Sequence, residues 1–426
     1  MKEYNFNKLS GTERKELVRR KSIGSGSVKK SVEQICDDVK KDGLKSAIEY
    51  AKKFNGFSSR DICVTKKEFT EAEKLISPKL KSAIKSAYKN IYKFHKKQFP
   101  KNYFIETVKG VKCERKFIPI ENVGLYIPAG TAPLPSTMLM LGIPTQIASC
   151  KRIVAASPAK SKIHPAILFA AKLCGITEFL KIGGAQAIAL FAYGSDNFKK
   201  VEKIFGPGNQ YVTTAKSLVS IDPDGCSIDM LAGPSELIII ADSFANPNFI
   251  AADLLSQAEH GRDSVVGLLT TSHNLFKKVE QAILEQAKSL PRKNIAEAAL
   301  ENSFCIVFEN LDNAFKFCND FAPEHLILNL KNAKKYLSKI VNAGSVFVGE
   351  YTPESAGDYA SGTNHSLPTY GFARSSGGVS VEMFMKAVTF QSITKKGIKN
   401  LSEAIITLAE AESLQAHAQA VKVRLK

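Results

Sequence analysis

The sequence VGLYI at residues 123–127 is followed by RIVAA at 152–156 and EFLKI at 178–182. Each run is short and largely apolar, and segments with helical spacing separate the three. Buried strands that alternate with helices are typical of βαβ units and parallel sheets. This part of the chain is therefore predicted to form a parallel α/β sheet.

The same alternation continues through the middle of the chain. Further runs of this kind lie at 203–205, 237–241, 264–270, 304–308, 325–330 and 345–348. Nine such runs are more strands than one compact sheet of a single domain would hold, so two α/β domains are predicted. In such sheets ligands bind where loops leave the carboxyl ends of the strands, and the site is expected there.

Both ends of the chain have a different pattern. Residues 1–120 are predicted to be mainly helical, with apolar residues at helical spacing over 31–54 and 70–99. From Asn400 onward one long helix is predicted, nearly to the C-terminus. A tail of this kind often packs on a partner subunit.

Composition narrows the class of protein. A chain of 426 residues with 44% hydrophobic and 23% charged residues is expected to be soluble, globular and multidomain. The first residues lack the apolar core of a signal peptide and no apolar run is long enough for a membrane span, so we expect a cytoplasmic protein without a membrane partner.

The formal charge of +18 raises nucleic acid as a partner. The basic residues are, however, spread along the chain at helical spacing, and there is no nucleic-acid-binding motif. We therefore predict no nucleic-acid partner. The eight cysteines form no C-x-x-C pair, which argues against a thiolate zinc site or a redox dithiol.

One candidate metal site begins on a predicted helix that starts at Asn246-Pro247 and ends at Gly261. Gln257 and His260 lie three residues apart on its last turn and so share a face. The negative end of the helix favours a nearby cation. An amide oxygen and an imidazole could form half of a metal site, although a capping or core histidine remains an alternative.

Glu324 and His325 form a second candidate, just before the predicted strand at 325–330. A carboxylate beside an imidazole suits proton transfer near neutral pH. Adjacent strand residues point to opposite faces, so both can reach one site only if they lie in the loop before the strand.

Two polar segments complete the candidates. The glycine-rich loop predicted at 357–365 contains Asp358, a possible zinc or manganese ligand, and His365, a ligand or a hydrogen-bonding loop residue. On the predicted tail helix, Glu412 and His417 are separated by roughly 140° of rotation and would flank a site. Exposed helical residues remain the alternative for this pair.

The glycine motifs do not identify a cofactor. No G-x-G-x-x-G lies between a strand and a helix, and no phosphate-binding G-x-x-x-x-G-K-[ST] is present. From chemistry alone the chain is an α/β protein with a candidate metal site.

The order of the motifs is more specific than any one of them, and their series resembles that of histidinol dehydrogenases over nearly the whole chain. The matching segments are VGLYIPAG (123–130), APLPST (132–137), GGAQAIA (183–189), FGPGN (205–209), AGPSE (232–236), LSQAEHG (255–261), FAPEHL (321–326), GDYASGTNH (357–365), Glu412 and AH (416–417).

The resemblance implies oxidation of L-histidinol to L-histidine, via L-histidinaldehyde, in two NAD-dependent steps that end histidine biosynthesis. It implies a homodimer whose tails complete the partner's site. The implied residues are, for zinc, Gln257, His260, Asp358 and His417; for catalysis, Glu324 and His325; for substrate, Ser235, Gln257, His260, His325, Asp358, His365, Glu412 and His417; and for NAD, Tyr126, Gln186 and Asn209.

The implied architecture consists of two incomplete Rossmann-like domains, which explains the missing glycine fingerprint. The predicted boundaries are a helical N-terminal arm at 1–21, a first, catalytic domain at 22–120 and 232–378, a second, NAD-binding domain at 121–231, and a helical tail at 379–426.

In the implied mechanism, zinc holds the substrate, His325 accepts the alcohol proton, and Glu324 activates water for addition to the aldehyde. Three alternatives stay open. They are a cysteine mechanism through Cys113 or Cys150, a zinc-dependent hydrolase in which Glu324 activates water, and a basic nucleic-acid-binding protein with a structural zinc.

Overall fold

The computed structural model describes residues 1–20, 26–59, 61–129 and 132–426. The predicted boundary between the arm and the first domain, at residues 21 and 22, lies outside this part of the chain. Gly130, the last residue of the first family motif, also lies outside it.

The strands are β1 (Lys2–Asn5), β2 (Tyr103–Val108), β3 (Val111–Pro119), β4 (Asn122–Tyr126), β5 (Arg152–Ala156), β6 (Glu178–Leu180), β7 (Lys203–Phe205), β8 (Ser227–Ile228), β9 (Glu236–Ala241), β10 (Val265–Thr270), β11 (Phe304–Val307), β12 (His325–Asn329), β13 (Ser345–Val348) and β14 (Met385–Ile393).

The α-helices are α1 (Gly11–Val18), α2 (Gly26–Asp42), α3 (Leu44–Asn55), α4 (Lys66–Leu75), α5 (Pro78–His95), α6 (Pro135–Ala148), α7 (Pro165–Leu173), α8 (Ala185–Tyr193), α9 (Gln210–Ile221), α10 (Pro247–Ala258), α11 (His273–Ala287), α12 (Lys293–Glu301), α13 (Leu311–Phe321), α14 (Glu354–Tyr359), α15 (Lys395–Ala411) and α16 (Gln415–Leu425). None of the helices in the described residues is both long and apolar enough to cross a membrane.

Within the described residues the strands form three sheets. Sheet A is parallel, in the order β1-β11-β10-β9-β12-β13, and sheet B is parallel, in the order β6-β5-β4-β7-β8. Sheet C is antiparallel, in the order β14-β3-β2. Each of the nine apolar runs is a strand of sheet A or sheet B, which confirms the predicted fold class.

The centre of sheet A shows why these runs read as continuously apolar. Every residue of β9 is buried, and alternate residues enter different cores. Leu237 and Ile239 pack in the core that contains residues of α10, α11 and α12, whereas Ile238 and Ile240 pack in the core that contains residues of α13. Burial of each such side chain contributes roughly 1.5–3 kcal/mol, so both faces stabilise the strand.

Helices α2 to α5 pack on the side of sheet B. Val32 and Ala47 share a core with Val154 of β5, and Ile91 shares one with Leu125 of β4. The predicted boundaries placed residues 22–120 with the catalytic domain instead. Helical spacing shows that a helix has a buried face but not which sheet covers it, and we propose that α2 to α5 belong to the domain of sheet B.

The terminal segments contain strands that their sequence did not predict. The N-terminal arm includes helix α1, as predicted, but β1 adds a parallel edge strand to sheet A. The prediction that residues 1–120 are mainly helical is wrong over β2 and β3, and the tail carries β14. All residues of β2 except Val108 are exposed, so this strand lacks the apolar run that identifies a buried one.

The predicted helices are also shorter than expected. Gly43, with a φ of 56°, separates α2 from α3, and Pro78 begins a new helix after α4. The tail is two helices, because α15 ends before Glu412 and Ser413 adopts a φ of 59°. The rotation of roughly 140° between Glu412 and His417 assumed one continuous helix and is therefore wrong.

Candidate active site

The two predicted catalytic residues lie at the amino ends of the strands of sheet A. His325 is the first residue of β12, and the neighbouring β9 begins at Glu236. The expected position at the carboxyl ends is thus wrong for this sheet. Because parallel neighbours start at the same edge, the backbone of β9 lies beside both side chains.

Glu324 and His325 reach one site, although they are consecutive. Oε2 of Glu324 lies 3.6 Å from Nδ1 of His325, and both residues are buried. Glu324 precedes the strand, which meets the condition inferred from the sequence. The backbone N–H of Glu236 donates to Oε2 of Glu324 at 2.9 Å.

The two ring nitrogens of His325 have different surroundings. Nδ1 lies 3.3 Å from the backbone carbonyl oxygen of Glu236, where an N–H would donate. Nε2 has no hydrogen-bond partner among the described residues and lies 3.7 Å from Oδ1 of Asp358. Burial lowers the pKa of His325 to about 4. The ring is therefore neutral, with Nδ1 protonated and Nε2 free to accept a proton.

Three of the predicted metal and substrate residues meet beside this pair. Gln257 is the penultimate residue of α10 and is fully buried, and His260 follows the end of that helix. Nε2 of His260 lies 3.9 Å from Oδ2 of Asp358. Asn246 caps the start of α10, as predicted.

Asp358 lies on the short helix α14 rather than in a loop, and this helix brings in a residue that the sequence did not single out. Glu354 is four residues earlier, on the same face. Ligand atoms of His260, Glu354 and Asp358 all lie within 4.8 Å of one another. The spacing E-x-x-x-D was the available signal, but Pro353, Gly357 and Gly362 favoured a loop.

Glu354 also contacts Gln257. With the amide oriented so that its nitrogen faces the carboxylate, Gln257 donates to Oε2 of Glu354 at 2.9 Å. The amide oxygen, which is the metal-binding atom of a glutamine, then points away from Glu354.

The site concentrates acidic groups in a buried place. Burial raises the pKa of Glu354, and the neighbouring Asp358 and Glu324 carboxylates raise it further. Burial also raises the pKa of Glu324, and this effect outweighs the hydrogen bond from Glu236, which lowers it. An imidazole with crowded carboxylates is a donor set that fits a divalent cation such as zinc, because the cation would offset their repulsion.

The other predicted substrate residues lie differently. Ser235 directly precedes β9, and its carbonyl accepts from the Val265 N–H at 3.0 Å. Nδ1 of His365 lies 2.9 Å from the Asp358 carbonyl oxygen and its Nε2 lies 3.1 Å from Oγ1 of Thr137 on α6. His365 therefore connects the acidic cluster with the unit that contains sheet B.

Glu412 and His417 do not join this cluster. Both side chains are exposed, and the group of metal-capable residues found in the described chain does not include His417. Glu412 is the C-cap of α15, and His417 lies in the first turn of α16.

The predicted NAD residues lie at the carboxyl edge of sheet B. Tyr126 ends β4, and its hydroxyl accepts from the Gly184 N–H at 3.1 Å. Gln186 is the second residue of α8, which follows β6, and it donates to Asn55 at 3.0 Å. Asn209 caps α9 after β7. The chain order reverses between the adjacent strands β4 and β7, and ligands bind at such reversals.

The cysteines offer little for a thiol mechanism. Cys150 is buried, and burial raises the pKa of its thiol to about 12. Cys113 lies on β3 in sheet C, paired with Gln391 of β14. A reactive thiol needs a lowered pKa and an accessible position at the site, so the cysteine alternative loses its support.

Comparisons with known proteins agree with the motif series. The family model described as histidinol dehydrogenase matches residues 18–425. Histidinol dehydrogenases of Bacteroides thetaiotaomicron and Aliivibrio fischeri are 49% and 47% identical, covering 96% and 100% of this chain and 96% and 97% of their own lengths. The crystal structure of histidinol dehydrogenase from Elizabethkingia anophelis is 49% identical, with a TM-score of 0.94 and coverage of 100% of this chain and 98% of that one.

Proposed function

Since this chain belongs to the histidinol dehydrogenase family, we propose that it oxidises L-histidinol to L-histidine through L-histidinaldehyde, with NAD as the oxidant in both steps. The observation that supports the chemistry best is the buried Glu324–His325 pair beside a cluster of potential metal ligands. NAD, as co-substrate, supplies the hydride acceptor.

His325 is the base of the first oxidation. Its neutral ring has a free Nε2, and its Nδ1 faces the Glu236 carbonyl oxygen. Nε2 takes the hydroxyl proton of the alcohol as the carbon-bound hydrogen leaves as hydride, so the C–O single bond becomes a carbonyl. The same atom takes a hydroxyl proton when the hydrated aldehyde loses the second hydride.

Glu324 activates water between these oxidations. Its buried carboxylate has a raised pKa and so is a stronger base than an exposed glutamate. It removes a proton from water as the oxygen bonds to the aldehyde carbon, which gives the hydrate. The hydrogen bond from Glu236 fixes one carboxylate oxygen and leaves the other for water.

We propose that Gln257, His260 and Asp358 hold zinc together with His417 of a second copy of the chain. A bound zinc ion supplies positive charge that fixes the substrate's nitrogen atoms and orients the reacting carbon. Ser235, His365 and the partner's Glu412 would complete the pocket for the substrate. Tyr126, Gln186 and Asn209 would bind NAD at the carboxyl edge of sheet B.

A homodimer is proposed from the surface of the tail unit. Large apolar side chains are exposed on β2, β14, α15 and the residues just after α15, and exposed apolar surface of this kind can mark a protein–protein interface. They include Tyr103, Phe104, Ile105, Phe390, Ile393, Leu408 and Leu414. A second copy that covers them would bring its tail to a site where this chain's own tail is absent. We place the dimer in the cytoplasm, as expected for a biosynthetic enzyme.

The direct test is NADH production with L-histidinol, before and after chelation. We expect the absorbance of NADH to increase only when histidinol is present, with two NADH formed per histidinol consumed. Chelation removes the ion that orients the substrate and should abolish the reaction, and zinc should restore it. NAD-independent hydrolysis, or salt-sensitive DNA binding without NADH, would support the two rival functions instead.

Replacing Glu354 with alanine is expected to weaken zinc binding by roughly 10- to 100-fold, the usual cost of losing a group that orients a ligand. Without its acceptor, the Gln257 amide can turn its nitrogen towards the metal. Zinc retention during dialysis against a chelator series measures the change. Glu354→Gln keeps one acceptor and should lose less, and Glu350→Ala, at an exposed position, should lose nothing. Equal zinc retention in all three variants would contradict the proposed role of Glu354 in orienting Gln257.

A further inference from the structure

Glu236 contacts both catalytic residues through its backbone. Its N–H donates to Oε2 of Glu324 at 2.9 Å, and its carbonyl oxygen lies 3.3 Å from Nδ1 of His325. One residue therefore orients the carboxylate and selects the tautomer of the imidazole. A shift of this residue along or across sheet A would misplace both groups together.

The side chain of Glu236 is held on its far side by Arg20. Nε and Nη2 of Arg20 donate to its two carboxylate oxygens at 2.8 and 3.0 Å, and the Tyr370 N–H donates at 3.0 Å. The two side chains are only 12% and 4% exposed. A bidentate pair restrains position and angle more strongly than a single contact does.

Arg20 also holds the segment that leads to the catalytic pair. Its Nη2 donates to the Phe321 carbonyl oxygen at 2.9 Å, and its guanidinium carbon lies 3.3 Å from the centroid of the Phe321 ring. Phe321 ends α13, three residues before Glu324. One guanidinium thus links the start of β9 to the approach to β12.

We propose that Arg20 and Glu236 are positioning residues that fix Glu324 and His325 for catalysis. Their catalytic consequence rests on the function proposed above. Neither is placed to touch the reacting atoms: Arg20 reaches the pair only through Glu236 and Phe321. A buried ion pair adds little net stability over apolar residues of similar size, so this pair is better explained by the geometry that it imposes.

The test compares Arg20→Met, Arg20→Lys and the double variant Arg20→Met/Glu236→Gln, which avoids an unpaired buried carboxylate. We expect kcat for histidinol oxidation to fall roughly 10- to 100-fold, while KM for histidinol and zinc content change by less than about threefold. Lysine cannot form the two-pronged pair and should rescue little.

Arg152→Met is the matched control. Arg152 also makes a two-pronged pair, with Glu178, donates to the Lys199 carbonyl oxygen and lies over an aromatic ring, but at the amino edge of sheet B. It should lower the melting temperature without lowering kcat in the folded protein. If Arg152→Met lowers kcat as much as the Arg20 variants, the effect is general destabilisation and the proposal is overturned.

A second readout does not depend on activity. Nitrogen NMR of ¹⁵N-histidine-labelled protein, with His325→Gln to assign the signal, reports which ring nitrogen is protonated. The wild type should show Nδ1–H, and the folded double variant a mixture of tautomers. An unchanged tautomer together with unchanged kcat would refute the positioning role. Absence of histidinol oxidation by the wild type would refute the proposed function. The tautomer signal would still decide whether Arg20 and Glu236 position His325.

Discussion

Replacing His417 with alanine is expected to remove bound zinc and to lower activity by at least roughly 100-fold, because even a group that only orients a ligand typically costs 10- to 100-fold. His417 is exposed and lies outside the cluster of metal-capable residues in its own chain. A large effect from a residue outside this cluster is expected if its side chain acts in a second copy of the chain. Zinc content and NADH production measure both losses.

Mixing His417→Ala with Gln257→Ala subunits distinguishes a shared site from an indirect effect. In a mixed dimer one site contains both substitutions and the other contains neither. Random exchange makes half of the dimers mixed, so about a quarter of the wild-type activity should return. Differently tagged subunits, purified in sequence, verify the exchange.

A second mixture provides the control for this experiment. Gln257 and Asp358 are assigned to the same subunit's part of the site, so dimers of Gln257→Ala with Asp358→Ala contain one defect in each site. No activity should return in this mixture. Rescue in both mixtures, or in neither despite proven exchange, would contradict a site completed by the partner's tail.

The sequence predicted the two parallel sheets because their strands are buried on both faces. A run such as Leu237 to Ala241 needs no partner to be recognised, since the pattern follows from burial alone. β2 and β14 could not be found in this way. Their residues are mostly exposed, so neither strand forms a buried apolar run. β2 is ordered by a local hairpin with β3, and β14 by pairing with β3 across a long separation in the sequence.

The individual site residues were inferred from ordered motifs rather than from local chemistry, and their roles stay predictions. Gln257 lies on the last turn of a helix whose start was predicted, but the helix ends at Ala258, so His260 follows it and does not share a face of the helix with Gln257. Glu354 was missed because a helix as short as α14 has too few residues to establish a period. Arg20 was missed for a different reason: its partner Glu236 is more than two hundred residues away, and only the fold brings them together.

The position of the site also needed the structure. General rules for α/β sheets favour the carboxyl edge, and the predicted NAD residues of sheet B follow them. The proposed catalytic pair, Glu324 and His325, lies at the amino edge of sheet A instead, where Glu236 of the neighbouring strand offers both a donor and an acceptor. The sequence alone does not show that the predicted residues lie at the amino edge of sheet A but at the carboxyl edge of sheet B.

Replacing Glu324 with glutamine is expected to slow aldehyde oxidation by roughly 100-fold or more, the usual contribution of a general base, and alcohol oxidation far less. The amide oxygen of glutamine can still accept the Glu236 N–H, so the packing around the site should be kept. What is lost is the carboxylate that removes a proton from water, which only the second half of the reaction requires.

Single-turnover measurements separate the two halves. With L-histidinol, the Glu324→Gln variant should form the first NADH at nearly the wild-type rate and the second slowly, and with L-histidinaldehyde it should show only the slow phase. His325→Gln is the contrasting variant, because Nε2 of His325 accepts a proton in both oxidations and its loss should slow both. Equal slowing of both halves by Glu324→Gln would assign Glu324 to the orientation of His325, 3.6 Å away, rather than to the activation of water.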